Sequence, residues 1–290
     1  MSDHKMNIQW YPGHMTKTRR QIEADLKLVD AVCEIVDARI PISSRNPDID
    51  SICENKPRII ILNRMDLADT VATKRWTDFF RDKGIATVAT DCKSQKGISA
   101  FEPTVRSVLK EKIERNAARG MNRPVRIMIV GIPNVGKSTF INQISGRKGA
   151  KAENRPGVTR GKQWVTVDSG LLLLDTPGIL WPKFEDPRVG MMLAYTGAVK
   201  ENVIDTEELA CLLAELLWKY YPEALRARFG IDVAADIPGY QLIEEMGHKR
   251  GYLLARGEIN TERMSKVLLD EYRSGKLGHF TLEMPEDIVV

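Results

Sequence analysis

The octet Gly131-Ile132-Pro133-Asn134-Val135-Gly136-Lys137-Ser138 constrains this chain more than any other stretch. It fits the spacing G-x-x-x-x-G-K-[ST], with an apolar run, Val125–Val130, leading in and a helical pattern over 137–145 leading out. Strand, glycine-rich loop and helix in that order turn backbone N–H groups toward an anion at the helix N-terminus. Lys137 is placed to reach β- and γ-phosphates as a catalytic charge, and Ser138 to ligate magnesium. Asn134, Val135, Gly136 and Thr139 complete the expected phosphate cradle.

The surrounding pattern agrees with a nucleotide-binding α/β domain. Ala31–Val36, Arg58–Leu62, Ile85–Ala89, Val125–Val130, Gln163–Val167 and Leu171–Leu174 read as strands. Segments 14–29, 74–83, 98–115 and 137–145 read as helices. Alternation of this kind predicts a mostly parallel sheet flanked by helices. Residues 181–187 are dense in breakers, and beyond them strand signals fade. Leu209, Leu212, Leu213, Leu216 and Leu217 mark one helix, with others over 240–247 and 261–273. Two domains are expected, 1–187 and a small all-helical domain over 190–290.

Three further motifs bear on a nucleotide. Asp175-Thr176-Pro177-Gly178 ends a strand; Asp175 is a candidate magnesium ligand, and Gly178 offers its N–H to a γ-phosphate. Thr159, in Arg155–Arg160, is a candidate mobile ligand that closes on magnesium only when a γ-phosphate is present. Asn63-Arg64-Met65-Asp66 resembles the guanine-specificity motif N-K-x-D, with Arg64 where lysine is usual. The Asp66 carboxylate can accept guanine N1–H and N2–H together. Adenine offers neither donor, a mismatch of the kind that costs about four orders of magnitude in selectivity. Thr90-Asp91-Cys92-Lys93 is a second base loop or a plain polar turn. Asn63 is expected to brace the base loop against the phosphate loop.

The order is unusual: the base motif precedes the phosphate loop instead of following it. A site built from strand ends depends on position in space, so relinking neighbouring termini leaves it intact. The expected domain is therefore a circularly permuted P-loop GTPase domain.

Composition narrows the class. Hydrophobic residues make up 43% and charged residues 28% of 290, enough for a sizeable core. No apolar run reaches membrane-spanning length, and Met1-Ser2-Asp3-His4-Lys5 leads into no signal-like block. Four scattered cysteines suggest neither zinc nor disulfides and fit a reducing cytoplasm. Net charge is +4, yet residues 121–196 carry +6 and 197–290 carry −6. The excess is densest over 147–162, either a solvated loop or a contact to phosphate backbone.

Together these residues resemble the YlqF/RbgA family of permuted GTPases, the ribosome biogenesis GTPase A family. The resemblance runs from Trp10-Tyr11-Pro12-Gly13-His14-Met15 through Val36-Asp37-Ala38-Arg39-Ile40-Pro41, Ser44-Arg45-Asn46-Pro47 and the phosphate loop. It continues through Pro156-Gly157-Val158-Thr159 and Asp175–Lys183 to Thr196-Gly197-Ala198. It implies a cytoplasmic GTPase acting late in large ribosomal subunit assembly, with ribosome-stimulated turnover and rRNA contact, in part through the helical domain. It nominates His14 as the residue that orients the attacking water. It also favours potassium, for which the Asn134 amide oxygen is a candidate ligand. A monomer is expected. The alternatives are a GTP-controlled RNA-binding switch in another pathway, such as tRNA modification, and a P-loop kinase.

Overall fold

The structure, a computed structural model, describes residues 15–53, 55–146, 163–167, 170–178, 186–199 and 205–288, with side chains from Arg20 onward. The chain divides into two compact units. One holds the described residues up to Gly178 together with 283–288; the other holds 186–282.

The first unit is a six-stranded sheet: β1 (Ala31–Asp37), β2 (Arg58–Asn63), β3 (Ala86–Thr90), β4 (Val125–Gly131), β5 (Gln163–Val167) and β6 (Leu171–Asp175). Spatial order is β3-β2-β1-β4-β6-β5, parallel throughout except for antiparallel β5 against β6. All seven residues of β1 are buried, as its near-continuous apolar run requires of a central parallel strand. Helix α1 (Met15–Leu26) lays Ile22 and Leu26 against Val32, Met128 and Leu174. After the short α2 (Asp48–Ile52), α3 (Thr70–Asp82) brings Trp76 and Phe80 onto Val36, Ile60 and Leu62. Then come α4 (Phe101–Val108), α5 (Lys110–Ala118) and α6 (Lys137–Ile144).

The chain order runs outward from β1 to β3, then returns to the other side of β1 with β4. The order therefore reverses between β1 and β4, the position where parallel α/β sheets bind ligands beyond their carboxyl ends.

The structure differs from the sequence expectation in several places. Five strands run one residue further than their apolar runs, ending at Asp37, Asn63, Thr90, Gly131 and Asp175. Helix α3 starts at Thr70 instead of 74 because the Asp69 carboxylate accepts from the Ala72 N–H and caps it. The helix expected over 98–115 is interrupted at Leu109, whose φ and ψ of −103° and 14° leave the helical region.

The second unit is helical among its described residues: α7 (Pro187–Tyr195), α8 (Thr206–Tyr220), α9 (Pro222–Phe229), α10 (Gly239–Lys249) and α11 (Thr261–Ser274). Helices α10 and α11 pack on α8, which buries Leu209, Leu213 and Leu217. The expected domain running to 290 meets an exception: residues 283–288 join the sheet unit. The Trp76 indole N–H donates to the Glu283 carbonyl at 2.8 Å. The Glu283 carboxylate accepts from the Ile42 and Ser43 N–H groups at 2.8 and 3.1 Å and from the Ser43 hydroxyl.

Candidate nucleotide site

Parallel register places the site. Asp37 sits beside Asn63, and Asn63 beside Thr90, while Ile35 sits beside Gly131 and Ile129 beside Asp175. The loops leaving β1, β2, β3, β4 and β6 thus emerge along one edge. They come from segments as far apart as 37 and 175.

The phosphate loop leaves β4 at Gly131, where a Cβ would stand 2.7 Å from the Ile35 carbonyl oxygen. Gly136 has φ of 96°, and a Cβ there would collide with the Asn63 amide nitrogen, so glycine is required twice over. Among the described residues three non-glycines have positive φ: Arg64 (60°), Gln95 (65°) and Asn134 (61°). All three lie in the loops of this edge, where strained backbone is characteristic of ligand sites.

Asn63 joins the two motifs. Its amide donates to the Val135 carbonyl at 2.9 Å. Its side-chain oxygen accepts from the Thr90 hydroxyl at 3.2 Å and the Cys92 thiol at 3.1 Å. Burial raises the Cys92 pKa to about 11, which keeps the thiol a donor. Arg64 crosses the same gap, donating to the Asn134 carbonyl at 2.6 Å and lying 3.5 Å from the Asp37 carboxylate. Asp37 is itself gripped by Arg39 through Nε, Nη2 and the backbone N–H at 3.0, 2.8 and 3.0 Å. Burial acts to raise the Asp37 pKa, but the Arg39 guanidinium, helped by Arg64, holds it below the ordinary aspartate value. Asp37 and Arg39 were not singled out from the sequence as site residues. The only pointer was their place in the Val36–Pro41 motif.

Asp66 is half-exposed, and no side-chain hydrogen bond or ion pair holds its carboxylate among the described residues. Met65 donates its N–H to the Thr90 carbonyl at 3.1 Å, tying the loop after β2 to the loop after β3. The Asp91 carboxylate turns into its own loop, accepting from the Lys93 N–H at 2.8 Å and from the Ser94 hydroxyl.

On the phosphate side, Lys137 Nζ lies 2.6 Å from Asp175 Oδ1 and also donates to the Thr176 carbonyl. Gly178 abuts the loop so closely that a Cβ would stand 2.9 Å from the Pro133 nitrogen. Arg64, Asn134, Gly136, Lys137, Ser138 and Gly178 share the lining of a cavity of about 600 Å³, with Thr139 also at its wall. One carboxylate and one hydroxyl, Asp175 and Ser138, fit magnesium, which takes few protein ligands and fills its octahedron with phosphate oxygens and water. Among the described residues no cluster of three metal-ligating side chains competes with that assignment. His14, Thr159 and the basic segment 147–162 lie outside the described residues.

A family model described as 50S ribosome-binding GTPase matches residues 126–218. The ribosome biogenesis GTPase A of Priestia megaterium is 46% identical over 97% of this chain and 98% of its own length. The chain belongs to the ribosome biogenesis GTPase A family. The Thermotoga maritima member is 33% identical over 97% of this chain and 96% of its own length. A solved GDP-bound YlqF of this family superposes with a TM-score of 0.66 at 28% identity, covering 92% of this chain and all of that one. The Asn63–Asp66 loop, which precedes the phosphate loop in sequence, thus meets it in space, the permuted order.

Proposed function

We propose that this chain hydrolyses GTP to GDP and phosphate as an assembly factor of the large ribosomal subunit. The observation that carries this reading is the meeting of the Asn63–Asp66 loop and the phosphate loop at one sheet edge. Guanine recognition falls to Asp66, whose open carboxylate suits two parallel N–H donors. Asn63 and Arg64 fix the distance between base loop and phosphate loop.

Lys137 offers its charge to the phosphates, and its present partner Asp175 becomes available to a cation when the ammonium turns toward them. Ser138 and Asp175, with Thr159, would hold magnesium, which would supply positive charge opposite the phosphate oxygens. Asn134 is proposed as a ligand of potassium, which adds positive charge where other GTPases use an arginine finger. His14 is proposed to orient the water. The proposed partners are the large subunit and its rRNA, with stimulated turnover on the ribosome. The proposed setting is the cytoplasm, and the proposed state is a monomer.

The deciding experiment measures phosphate release from GTP and ATP by the full chain alone, with mature large subunits and with free RNA, in potassium and in sodium at matched ionic strength. GTP-selective release, raised by subunits and by potassium, is expected. Release from ATP at an equal rate removes the base-site assignment. Equal rates in sodium and potassium remove the potassium site. GTP binding without subunit-stimulated release favours a binding switch.

A further inference from the structure

The candidate nucleotide site lies at the carboxyl edge of the sheet, and a cluster of exposed basic residues lies at the opposite edge. Two adjoining cavities of about 590 and 480 Å³ open beneath the amino ends of β1, β2, β4 and β6. Their outer wall is the segment 101–126, which joins the base-loop half of the chain to the phosphate-loop half. That segment holds seven basic residues against three acidic ones.

Two of the acids are already engaged within their own helices, Glu102 with Arg106 and Glu114 with Lys110. Asp30, at the cavity floor, is engaged by Lys112 at 2.6 Å and by the Arg126 N–H. Lys27, Arg115, Arg119 and Arg123 are all exposed and have no ion-pair partner among the described residues. The third acid, Glu111, lines the second cavity without an ion-pair partner among the described residues, so four unpaired cations face one unpaired carboxylate and repel one another.

Their spacing and type select a ligand. Lys112, Arg115 and Arg119 follow the i, i+3, i+7 pattern of one helical face, so at 1.5 Å per residue they span roughly 10 Å. That is longer than a single phosphate group and suits successive groups of a polymer. Arginine predominates, and its planar fork matches phosphate oxygens in a bidentate manner. Among the described residues no aromatic side chain lines either cavity, so none of them stacks on a base. The concave shape argues against a lipid surface, which meets a convex apolar helix face.

We propose that this basic face binds the phosphodiester backbone of RNA, independently of base sequence and apart from the nucleotide site. Strand β4 separates the two by its seven residues, about 20 Å. The proposal rests on the ribosomal reading above for the identity of the polymer.

The test uses the full chain carrying Arg115→Glu, Arg119→Glu and Arg123→Glu together. A control with the same change in net charge carries Lys74→Glu, Arg81→Glu and Lys83→Glu on exposed positions of α3 and its end. Binding to naked large-subunit rRNA is measured across a salt series, with basal GTP hydrolysis and melting temperature alongside. The triple variant is expected to lose at least tenfold in affinity at about 0.1 M salt. The slope of log affinity against log salt should fall by about two to three, one per lost phosphate contact. Basal hydrolysis stays unchanged, and the α3 control keeps both affinity and slope. Replacement of the same three arginines by lysine should retain most of the binding.

Rival ligands enter as competitors. Displacement of wild-type protein from RNA by equimolar tripolyphosphate makes this a small-anion site and overturns the proposal. So does binding of polyglutamate, lost in the triple variant while RNA binding persists. Wild-type affinity and slope in the triple variant overturn this surface alone. A wild-type chain that binds no rRNA at any salt overturns the surface and the ribosomal reading together.

Discussion

The side-chain amide of Asn63 donates to the carbonyl of Val135 at 2.9 Å, across 72 residues of chain. Both partners are buried, and Asn63 accepts two further hydrogen bonds from Thr90 and Cys92. One amide thus sets how far the base loop stands from the phosphate loop. Asn63→Ala removes three interactions at once and leaves a buried carbonyl without its donor, a loss of about 1–3 kcal/mol. GTP and GDP should weaken together, roughly tenfold to a hundredfold, because the base–phosphate distance is common to both. Titration with a fluorescent GDP and a fluorescent GTP analogue checks this. A change confined to GTP would mean that Asn63 acts on the γ-phosphate instead.

Asp66 offers a different signature. Asp66→Asn exchanges one acceptor for a donor, so guanine loses a partner and xanthine, with a carbonyl at the corresponding position, gains one. The variant should bind GTP at least a hundredfold more weakly and XTP more tightly than the wild type does. Competition of GTP, XTP and ATP for the same site reads this directly. Unchanged GTP affinity would place the base elsewhere.

Legibility from sequence was uneven, and the strand ends show why. Apolar runs located all six strands; the sheet buries most of β2, β4 and β6, and β1 at its centre throughout. Each apolar run stops where a polar residue or glycine follows, although four of the five positions are still buried, so Asp37, Asn63, Thr90, Gly131 and Asp175 fell just beyond the expected ends. Ladder hydrogen bonds carry the strand one residue further than hydrophobicity does. The motifs themselves were legible, since glycine, lysine and aspartate spacing reflects local geometry. The reach of Arg64 to Asn134 was not, because nothing local encodes a distance between loops. Glu283 was hidden for a simpler reason: a glutamate near the end of a helical region reads as surface.

Burial raises the Glu283 pKa above the ordinary glutamate value, and the nearby Asp37 adds to it; the Ser43 and Ile42 donors oppose but do not outweigh burial. The sign follows. Well below the unfolded value both states carry the proton, and the contribution to stability is fully present. As pH rises the unfolded chain ionises first, and stability is lost until the folded carboxyl has ionised too. A single proton gives at most about 1.4 kcal/mol per pH unit within that window. Glu283→Gln does not titrate. Thermal melts from about pH 4.5 upward should show wild-type stability falling relative to the variant and then running parallel. Curves parallel throughout would mean that the folded carboxyl titrates at its ordinary value.

The water-orienting role of His14 is the prediction that bears most on catalysis. Many GTPases place a glutamine directly after D-x-x-G, but here that position is Ile179, whose side chain has no polar atom to hold a water. Another group must do so. His14 follows a Pro-Gly pair, and an imidazole both donates and accepts hydrogen bonds with a pKa near neutrality. His14→Ala should leave GTP affinity and large-subunit binding within about twofold of wild type. Subunit-stimulated hydrolysis should fall by about 10²–10⁴, the usual contribution of a positioned acid–base group. Single-turnover hydrolysis with saturating subunits separates this from a binding defect. His14→Gln, which keeps a donor and an acceptor on a flexible stem, should recover part of the rate if orientation is the role. Normal stimulated hydrolysis in His14→Ala would assign the water to the ribosome or to backbone groups of the phosphate loop. A parallel loss of subunit binding would make His14 a docking residue.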